Sequence, residues 1–150
     1  MKAPIPLIPP PEKLPPPIET DREIVAGYLT DASRFEGEAE GLVRAKDAEE
    51  IAALLAWAQR TGTWVTLSAR RTSLTGASVP LGGLVLSLER LDAWLGIGGE
   101  RARAQGGILL GSFQRQIEAA GWLYPPDPTS RNECSLGATV ACNASGPRTY

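Results

Sequence analysis

The chain has 150 residues, 43% of them hydrophobic, and a formal net charge of -2. This length supports one hydrophobic core and favours a single domain, and the small charge does not favour nucleic acid or an anionic membrane as a partner. The sequence contains no histidine, so it lacks the commonest general base and the commonest metal ligand, and no apolar run approaches the roughly 18 residues that a membrane span needs.

Proline dominates the first seventeen residues, and this composition favours an extended polyproline II tail and prevents a helix. We therefore expect a tail over residues 1–17 and a domain over residues 18–150. The tail contains PxxP spacings that an SH3-like module could bind, so an interaction module is one alternative. The start of the chain does not resemble a secretory signal. Cys134 and Cys142 lack metal-ligand spacing, so reduced thiols in a cytoplasmic protein are expected.

Helix and strand patterns alternate in the next part of the chain. Asp47–Thr61 is predicted to be a helix, because Asp47 can cap it, Gly62 can end it, and apolar residues recur with helical spacing. Strands on either side of it would form a βαβ unit and a partly parallel sheet. The helix face is predicted to be Ile51, Leu54, Leu55 and Ala58. The other predicted elements are a helix within Ile18–Leu29 capped by Thr20 or Asp21, strands at Leu42–Ala45, Thr63–Leu67 (buried), Leu84–Leu88 and Arg101–Gln105, and a helix at Ser112–Ala120 capped by Ser112 and closed by Gly121.

A polar loop follows the predicted strand at Thr63–Leu67, at the end where open α/β sheets bind ligands. Residues 68–76 include Arg70, Arg71, several hydroxyls and Gly76. Guanidinium groups, hydroxyls and backbone amides are the donors needed to hold a pyrophosphate. An ordinary solvated loop is the alternative. A Walker A loop is excluded because its Gly-Lys pair is absent.

A second stretch, Tyr124–Gly146, begins with three prolines around Asp127 and continues as a run of small residues. Small side chains allow a backbone to approach a large flat ligand closely. A proline-rich connector followed by a tightly packed strand or helix is the alternative. Since this stretch offers little side chain to bury, a bound ligand is a candidate for filling the adjoining space.

Five motifs together resemble a known family: YLTDAS at residues 28–33, TSLTG at 72–76, VPLGGLVLSL at 79–88, YPPDPTS at 124–130 and SLGATVACNASGPR at 135–148. They are similar to the PCMH-type FAD-binding domain of the FAD-linked oxidases, shared with p-cresol methylhydroxylase and vanillyl-alcohol oxidase. The resemblance is closest to the glycolate oxidase and D-lactate dehydrogenase group. It implies an α+β (α/β-like) fold in which residues 18–150 form the first βαβ subdomain and the start of the second. The rest of the domain and the substrate region would lie beyond Tyr150.

The resemblance implies an oxidoreductase lineage in which a small 2-hydroxy acid transfers hydride to flavin, with partner subunits possible. Members with histidine-linked flavin carry the histidine near Thr72, so non-covalent FAD is expected. The family's Arg-Gly-Gly-Gly is replaced here by residues 68–71, and a phosphate contact from Arg70 or Arg71 would offset the lost glycines. A non-catalytic, degenerate or truncated remnant with weak or no FAD binding is the alternative. No catalytic or metal-binding residue is assigned. The implied cofactor-binding residues are Arg70, Arg71, Thr72, Ser73, Leu74, Thr75, Gly76, Pro126, Asp127, Ser135, Gly137, Ala138, Asn143 and Gly146.

Overall fold

The structure is a computed structural model that describes residues 15–148. Most of the proline-rich segment lies outside the described residues, and the domain boundary at residue 18 stays a prediction. The helices and strands are, in chain order, α1 (Arg22–Ala26), β1 (Gly41–Arg44), α2 (Ala48–Thr61), β2 (Val65–Ser68), β3 (Leu84–Ser87), β4 (Trp94–Gly98), β5 (Arg101–Ala104), α3 (Leu110–Ala119) and α4 (Leu136–Ala141).

Strands β1, β3 and β2 form a three-stranded sheet in that order, and both pairings are parallel. Arg44 of β1 and Ser68 of β2 both lie opposite Ser87 of β3 in the register. The carboxyl ends of all three strands therefore meet at one edge of the sheet. The predicted βαβ unit and parallel sheet are confirmed, and the loop of residues 69–83 leaves from this edge.

The first core lies between this sheet and α2. Leu54 of α2 packs with Val43 of β1 and with Leu84 and Leu86 of β3, and all four side chains are buried. The prediction that the strand after α2 is buried is wrong, because Leu67 is 57% exposed. Its strand, β2, occupies one edge of the sheet, where fewer neighbours cover it than cover β3.

The ends of α2 follow the predicted capping chemistry. The Asp47 side chain accepts a hydrogen bond from the Glu50 amide at 2.8 Å, and Gly62 ends the helix with φ 70°, a conformation that glycine adopts without a Cβ penalty. The predicted face needs one correction: Leu55 is 46% exposed, whereas Ala53 is buried. The buried stripe is therefore rotated by part of a turn from the predicted one.

Helices α1 and α3 differ from their predicted bounds. Helix α1 covers only Arg22–Ala26, and Asp21 caps it. Helix α3 begins before Ser112, so the prediction of a Ser112 cap is wrong. Its first amides, those of Leu110 and Gly111, donate to the carbonyls of Cys134 and Arg131 at 3.0 Å. Carbonyls from a distant segment thus satisfy the donors that a capping side chain usually satisfies.

Strands β4 and β5 form an antiparallel hairpin. Strand β5 confirms the predicted strand at Arg101–Gln105, whereas β4 has no counterpart in the sequence prediction. It contains Gly96 and Gly98, which weaken strand patterns, and its pairing is irregular at Gly96. A separate core forms beside the hairpin, where Trp94 and Tyr124 meet the Phe113 ring edge-on at centroid distances of 5.7 and 5.2 Å.

The two adjacent leucines of α2 provide a test of the first core. Leu54→Ala should lower the free energy of unfolding by about 2–5 kcal/mol, because it leaves a cavity in a fully buried position. Leu55→Ala removes the same atoms from a half-exposed position and should change that free energy by at most about 0.5 kcal/mol. Urea unfolding followed by tryptophan fluorescence measures both. Equal losses for the two variants would contradict the described orientation of α2.

Candidate functional site

Hydrogen bonds within the loop after β2 shape its central part. The Ser73 hydroxyl accepts hydrogen bonds from the amides of Thr75 at 3.1 Å and Ala77 at 3.2 Å. Arg71 and Gly76 both have positive φ, at 52° and 77°. The backbone therefore turns sharply at both ends of Thr72–Gly76. Leu74, at its tip, is 78% exposed.

Asp31, in the YLTDAS motif, fastens this loop to the rest of the domain. One carboxylate oxygen accepts from the Ser33 amide at 2.9 Å, and the other accepts from the Ser78 amide at 3.3 Å. The Ala32 amide donates to the Arg71 carbonyl at 3.0 Å. Burial opposes ionisation of Asp31, but hydrogen bonds from Ser33, Ser78 and Ser73 outweigh it and hold the carboxyl pKa below its ordinary 3.8. Sequence reasoning did not select Asp31, although Asp-Ala-Ser is a typical Asx-turn pattern.

The Arg71 side chain lies among protein groups. Its Nη1 donates to a Glu89 carboxylate oxygen at 2.9 Å, and its guanidinium carbon lies 4.6 Å from the centre of the Tyr28 ring. The Tyr28 hydroxyl donates to the other Glu89 oxygen at 2.8 Å. A non-glycine residue at positive φ costs about 1–2 kcal/mol. A cation–π contact contributes about 0.5–2 kcal/mol and a charged hydrogen bond about 1.5–3 kcal/mol, so together they can offset that cost.

The surroundings of Glu89 lower the pKa of its carboxyl. Partial burial alone would raise the pKa of the carboxyl, but hydrogen bonds from Tyr28 and Arg71 and the arginine charges lower it below its usual 4.5. The pKa of Tyr28 is raised, first by burial and then by the neighbouring carboxylate. Sequence analysis did not select Glu89, because nothing in the sequence showed that Tyr28 and Arg71 would meet it.

A glycine turn at residues 106–107 connects the two predicted stretches. The Gly107 carbonyl accepts from Arg70 Nη2 at 3.4 Å, and the Gly106 carbonyl accepts from the Gly137 amide at 2.8 Å. A Cβ on Gly107 would lie 2.1 Å from the Leu88 carbonyl oxygen, and one on Gly137 would lie 2.9 Å from the Gly106 carbonyl oxygen. Both of these close backbone contacts therefore require a residue without a Cβ. Sequence reasoning missed residues 106–107, whose signal was a Gly-Gly pair between a strand and a helix.

The stretch of small residues is helical, which decides between the predicted strand and helix. Ser135 caps α4, and its hydroxyl accepts from the Ala138 amide at 3.3 Å. After α4 the backbone turns at Asn143, with φ 47°, and at Gly146, with φ 152°. A Cβ on Gly146 would lie 2.2 Å from the Asp127 carbonyl oxygen. The end of this stretch therefore folds back onto the proline-rich segment of residues 124–128, called the proline corner below.

Side chains from α3 and from Arg131 and Arg148 hold the proline corner in place. Nε2 of buried Gln114 donates to the carbonyls of Tyr124 at 3.2 Å and Pro126 at 2.8 Å. The Asp127 carboxylate accepts from Arg148 Nε at 2.9 Å and lies 3.4 Å from Arg131 Nη1. Sequence reasoning missed Gln114, because its backbone partners are ten and twelve residues away and leave no pattern.

The predicted site residues thus form two groups. The loop Arg70–Gly76 is anchored to residues 31–35 and reaches the glycine turn through Arg70. The second group (Pro126, Asp127, Ser135, Gly137, Ala138, Asn143 and Gly146) reaches the same turn through Gly137. Among residues 15–148 the structure contains no cluster of three or more potential metal ligands and no helix long and apolar enough to cross a bilayer. Cys134 and Cys142 form no disulfide.

Residues 39–150 match the family of the FAD binding domain. The chain belongs to this family. It is 36% identical to D-lactate dehydrogenase of Anaerostipes hadrus over 131 residues, which cover 84% of the chain and 27% of that enzyme. It is 32% identical to glycolate oxidase subunit GlcD of Escherichia coli K12 over 132 residues, covering 86% of the chain and 26% of that subunit. The chain therefore spans about a quarter of the length of these relatives.

Solved structures show the same fold at low sequence identity. An alkyldihydroxyacetonephosphate synthase superposes with a TM-score of 0.75 at 18% identity, covering 86% of this chain and 27% of that one. The 6-hydroxy-D-nicotine oxidase of Arthrobacter nicotinovorans superposes with a TM-score of 0.67 at 17% identity, covering 87% of this chain and 29% of that one. These superpositions confirm the predicted α+β fold, and the family match confirms the predicted FAD-binding lineage.

The donors around Arg70 fit an anionic cofactor. Arg70 is partly buried and its Nε has no hydrogen-bond partner among the described residues, as is also true of the Ser68 hydroxyl. Buried donors without acceptors are unfavourable, and guanidinium groups bind phosphate oxygens well. The nearby positive-φ turn at Arg71 lies beside hydroxyl-bearing Thr72 and Ser73. This set of groups matches the pyrophosphate of FAD in charge and in donor chemistry.

The Asp31 carboxylate predicts a pH-dependent stability. Its pKa is lowered on folding, so its contribution is fully present above its ordinary pKa of 3.8 and is lost as the pH falls through the folded value. Asp31→Asn should therefore lower the free energy of unfolding by about 1–3 kcal/mol at pH 7. At pH 3 the difference in this free energy between wild type and the variant, here called the gap, should be smaller. Urea unfolding at both pH values measures the gap. Glu118→Gln, at an exposed position, is the control, and an equal gap at both pH values would contradict the assignment.

The glycine turn predicts a steric effect. Gly107→Ala places its Cβ against the Leu88 and Leu91 carbonyl oxygens, so the backbone must move and the free energy of unfolding should fall by about 1–3 kcal/mol. A Cβ on Gly98 meets nothing within 4 Å, and Gly98→Ala should change the same quantity by at most about 0.5 kcal/mol. Chemical unfolding of both variants compares them, and a Gly107→Ala protein as stable as wild type would refute the close contact.

Proposed function

We propose that this chain binds FAD non-covalently and serves as the FAD-binding part of an oxidoreductase acting on a small 2-hydroxy acid of the glycolate or D-lactate type. The observation that carries the proposal is the glycine turn at residues 106–107, which contacts Arg70 on one side and Gly137 on the other. Two stretches that are far apart in the sequence therefore border one segment of backbone. The relatives' names support the substrate class.

In this proposal the first loop holds the pyrophosphate. Arg70 supplies guanidinium donors, and Thr72–Gly76 supplies hydroxyls and backbone amides. Ser135, Gly137 and Ala138 line the phosphates and the ribityl chain, where the small side chains of α4 permit a close approach. Pro126 and Asp127 line the cleft, and the turn from Asn143 to Gly146 approaches the flavin ring. Arg71 contributes its main chain to the same loop.

FAD, when bound, supplies the redox chemistry by accepting a hydride from the substrate. The residues of this chain bind and orient it. The sequence has no histidine and carries threonine at position 72, which supports non-covalent attachment. The proposal also includes a cytoplasmic location, supported by the two unpaired thiols, and partner subunits, supported by the subunit name of the glycolate oxidase relative.

A non-catalytic remnant of this fold is the second candidate. It is favoured by one observation: Arg71 has a φ of 52°, a conformation that suits glycine better than arginine. The two candidates differ in flavin content. Visible flavin absorbance of the purified protein, or quenching of FAD fluorescence when apoprotein is added, supports the oxidoreductase, whereas no binding at high FAD concentration supports the remnant.

Arg70 provides the sharpest test of the proposed cofactor contact. Arg70→Ala should weaken FAD binding by about 10–100-fold, because it removes a charged hydrogen bond of about 1.5–3 kcal/mol. Arg60→Ala removes an equal charge from the exposed end of α2 and should leave the affinity unchanged. Fluorescence titration with FAD measures both. An affinity unchanged in Arg70→Ala, or lowered equally in both variants, would remove the proposed role of Arg70.

A further inference from the structure

Three side chains form a closed arrangement beside the proposed pyrophosphate loop, here called the Tyr28–Glu89–Arg71 triangle. Arg71 Nη1 pairs with one Glu89 oxygen at 2.9 Å, the Tyr28 hydroxyl donates to the other at 2.8 Å, and the guanidinium lies 4.6 Å from the centre of the Tyr28 ring. The three residues follow α1, β2 and β3. The triangle therefore ties the start of the loop to two other parts of the domain.

The triangle leaves Arg71 poorly suited to bind phosphate through its side chain. The guanidinium charge is already balanced by Glu89 at hydrogen-bonding distance, and the Tyr28 ring lies over the guanidinium. A phosphate that approached this guanidinium would also approach the Glu89 carboxylate, and like charges repel. Arg70 differs in its hydrogen bonds: its charge also acts on Glu89, but its Nη2 donates to the neutral Gly107 carbonyl and its Nε has no hydrogen-bond partner among the described residues.

The backbone of Arg71 has the conformation that a glycine would favour. Its φ is 52°, which is unfavourable for a residue with a Cβ. Its carbonyl accepts from the Ala32 amide at 3.0 Å, so a change of this backbone would also disturb the attachment of the loop. A non-glycine residue keeps such a conformation only when its surroundings enforce it. The side-chain contacts of the triangle supply that constraint.

We infer that Arg71 is a positioning residue: the Tyr28–Glu89–Arg71 triangle holds the loop in its glycine-like shape, and the Arg71 side chain does not contact the cofactor. The inference rests on the proposed FAD-binding function and refines it. It divides the roles of two adjacent arginines, because Arg70 directs its donors to the pyrophosphate and Arg71 fixes the backbone that presents the amides of Thr72–Gly76. Glu89 and Tyr28 gain a role in cofactor binding without touching the cofactor.

Substitutions at position 71 separate this role from a direct phosphate contact. Arg71→Ala removes the triangle but keeps a Cβ at positive φ, so FAD affinity should fall by about tenfold. Arg71→Gly also removes the guanidinium, yet glycine adopts this φ without strain. Its FAD affinity should therefore lie within about threefold of wild type, measured in the same fluorescence titration. A direct phosphate contact predicts the opposite, with Arg71→Gly at least as weak as Arg71→Ala, and that result would overturn the inference.

Glu89 provides an independent test, because electrostatics and positioning predict opposite effects. Removing a carboxylate near a phosphate site should strengthen anion binding if charge alone matters. The inference expects Glu89→Ala to weaken FAD binding by about tenfold in the wild-type background, and to have no effect in the Arg71→Gly background. Glu89→Gln, whose Oε1 can still accept from Arg71 while its amide nitrogen donates to the Tyr28 hydroxyl oxygen, should recover most of the affinity. Unchanged or tighter binding by Glu89→Ala would refute the triangle's role.

A cofactor-free measurement distinguishes failure of this inference from failure of the proposed function. Urea unfolding of wild type, Arg71→Ala, Glu89→Ala and the double variant forms a double-mutant cycle. The triangle predicts that the double variant loses clearly less stability than the sum of the two single losses, because both substitutions remove the same Arg71–Glu89 pair. If wild type binds no FAD, the proposed function fails, and the cycle decides whether the triangle exists. Additive losses in the cycle would overturn the triangle itself.

Discussion

Close backbone contacts at Gly106 and Gly107 connect the parallel sheet with the segment around α4, and the rest of the described chain is arranged around this connection. A Cβ on Gly107 would lie 2.1 Å from the Leu88 carbonyl oxygen, just after β3, and a Cβ on Gly137 in α4 would lie 2.9 Å from the Gly106 carbonyl oxygen. These contacts join the parallel sheet to the segment that carries the small residues. They give the loop at the sheet edge and the segment around α4 a common neighbour.

The loop at the sheet edge illustrates how a protein can hold a non-glycine residue in a backbone conformation that glycine favours. Glycines in such loops allow the backbone to turn at little cost. In this chain, arginine occupies a turn with φ 52°, and an ion pair, a ring contact and the Asp31 carboxylate all bear on the same few residues. The unfavourable backbone is compatible with the fold because contacts from two other segments, residues 28–33 and Glu89, stabilise it.

Local patterns in the sequence predicted the local features of this structure. Asp47 and Gly62 marked the ends of α2 correctly, and the motifs around residues 72–76 and 135–148 identified the family. The features that depend on distant contacts could not be predicted in this way. Gln114 supports the proline corner through two backbone carbonyls, and β4 pairs despite its glycines because β5 lies beside it.

The two cysteines differ in accessibility in a way that is useful for experiments. Cys134 is buried, and burial raises the pKa of its thiol, whereas Cys142 is exposed at the end of α4. The reactive thiolate form is therefore disfavoured at Cys134, whereas the Cys142 sulfur is accessible to solvent. Maleimide dyes would consequently label one site selectively without any engineering, and that label would lie next to Asn143, where it would report on ligands that approach the end of this helix.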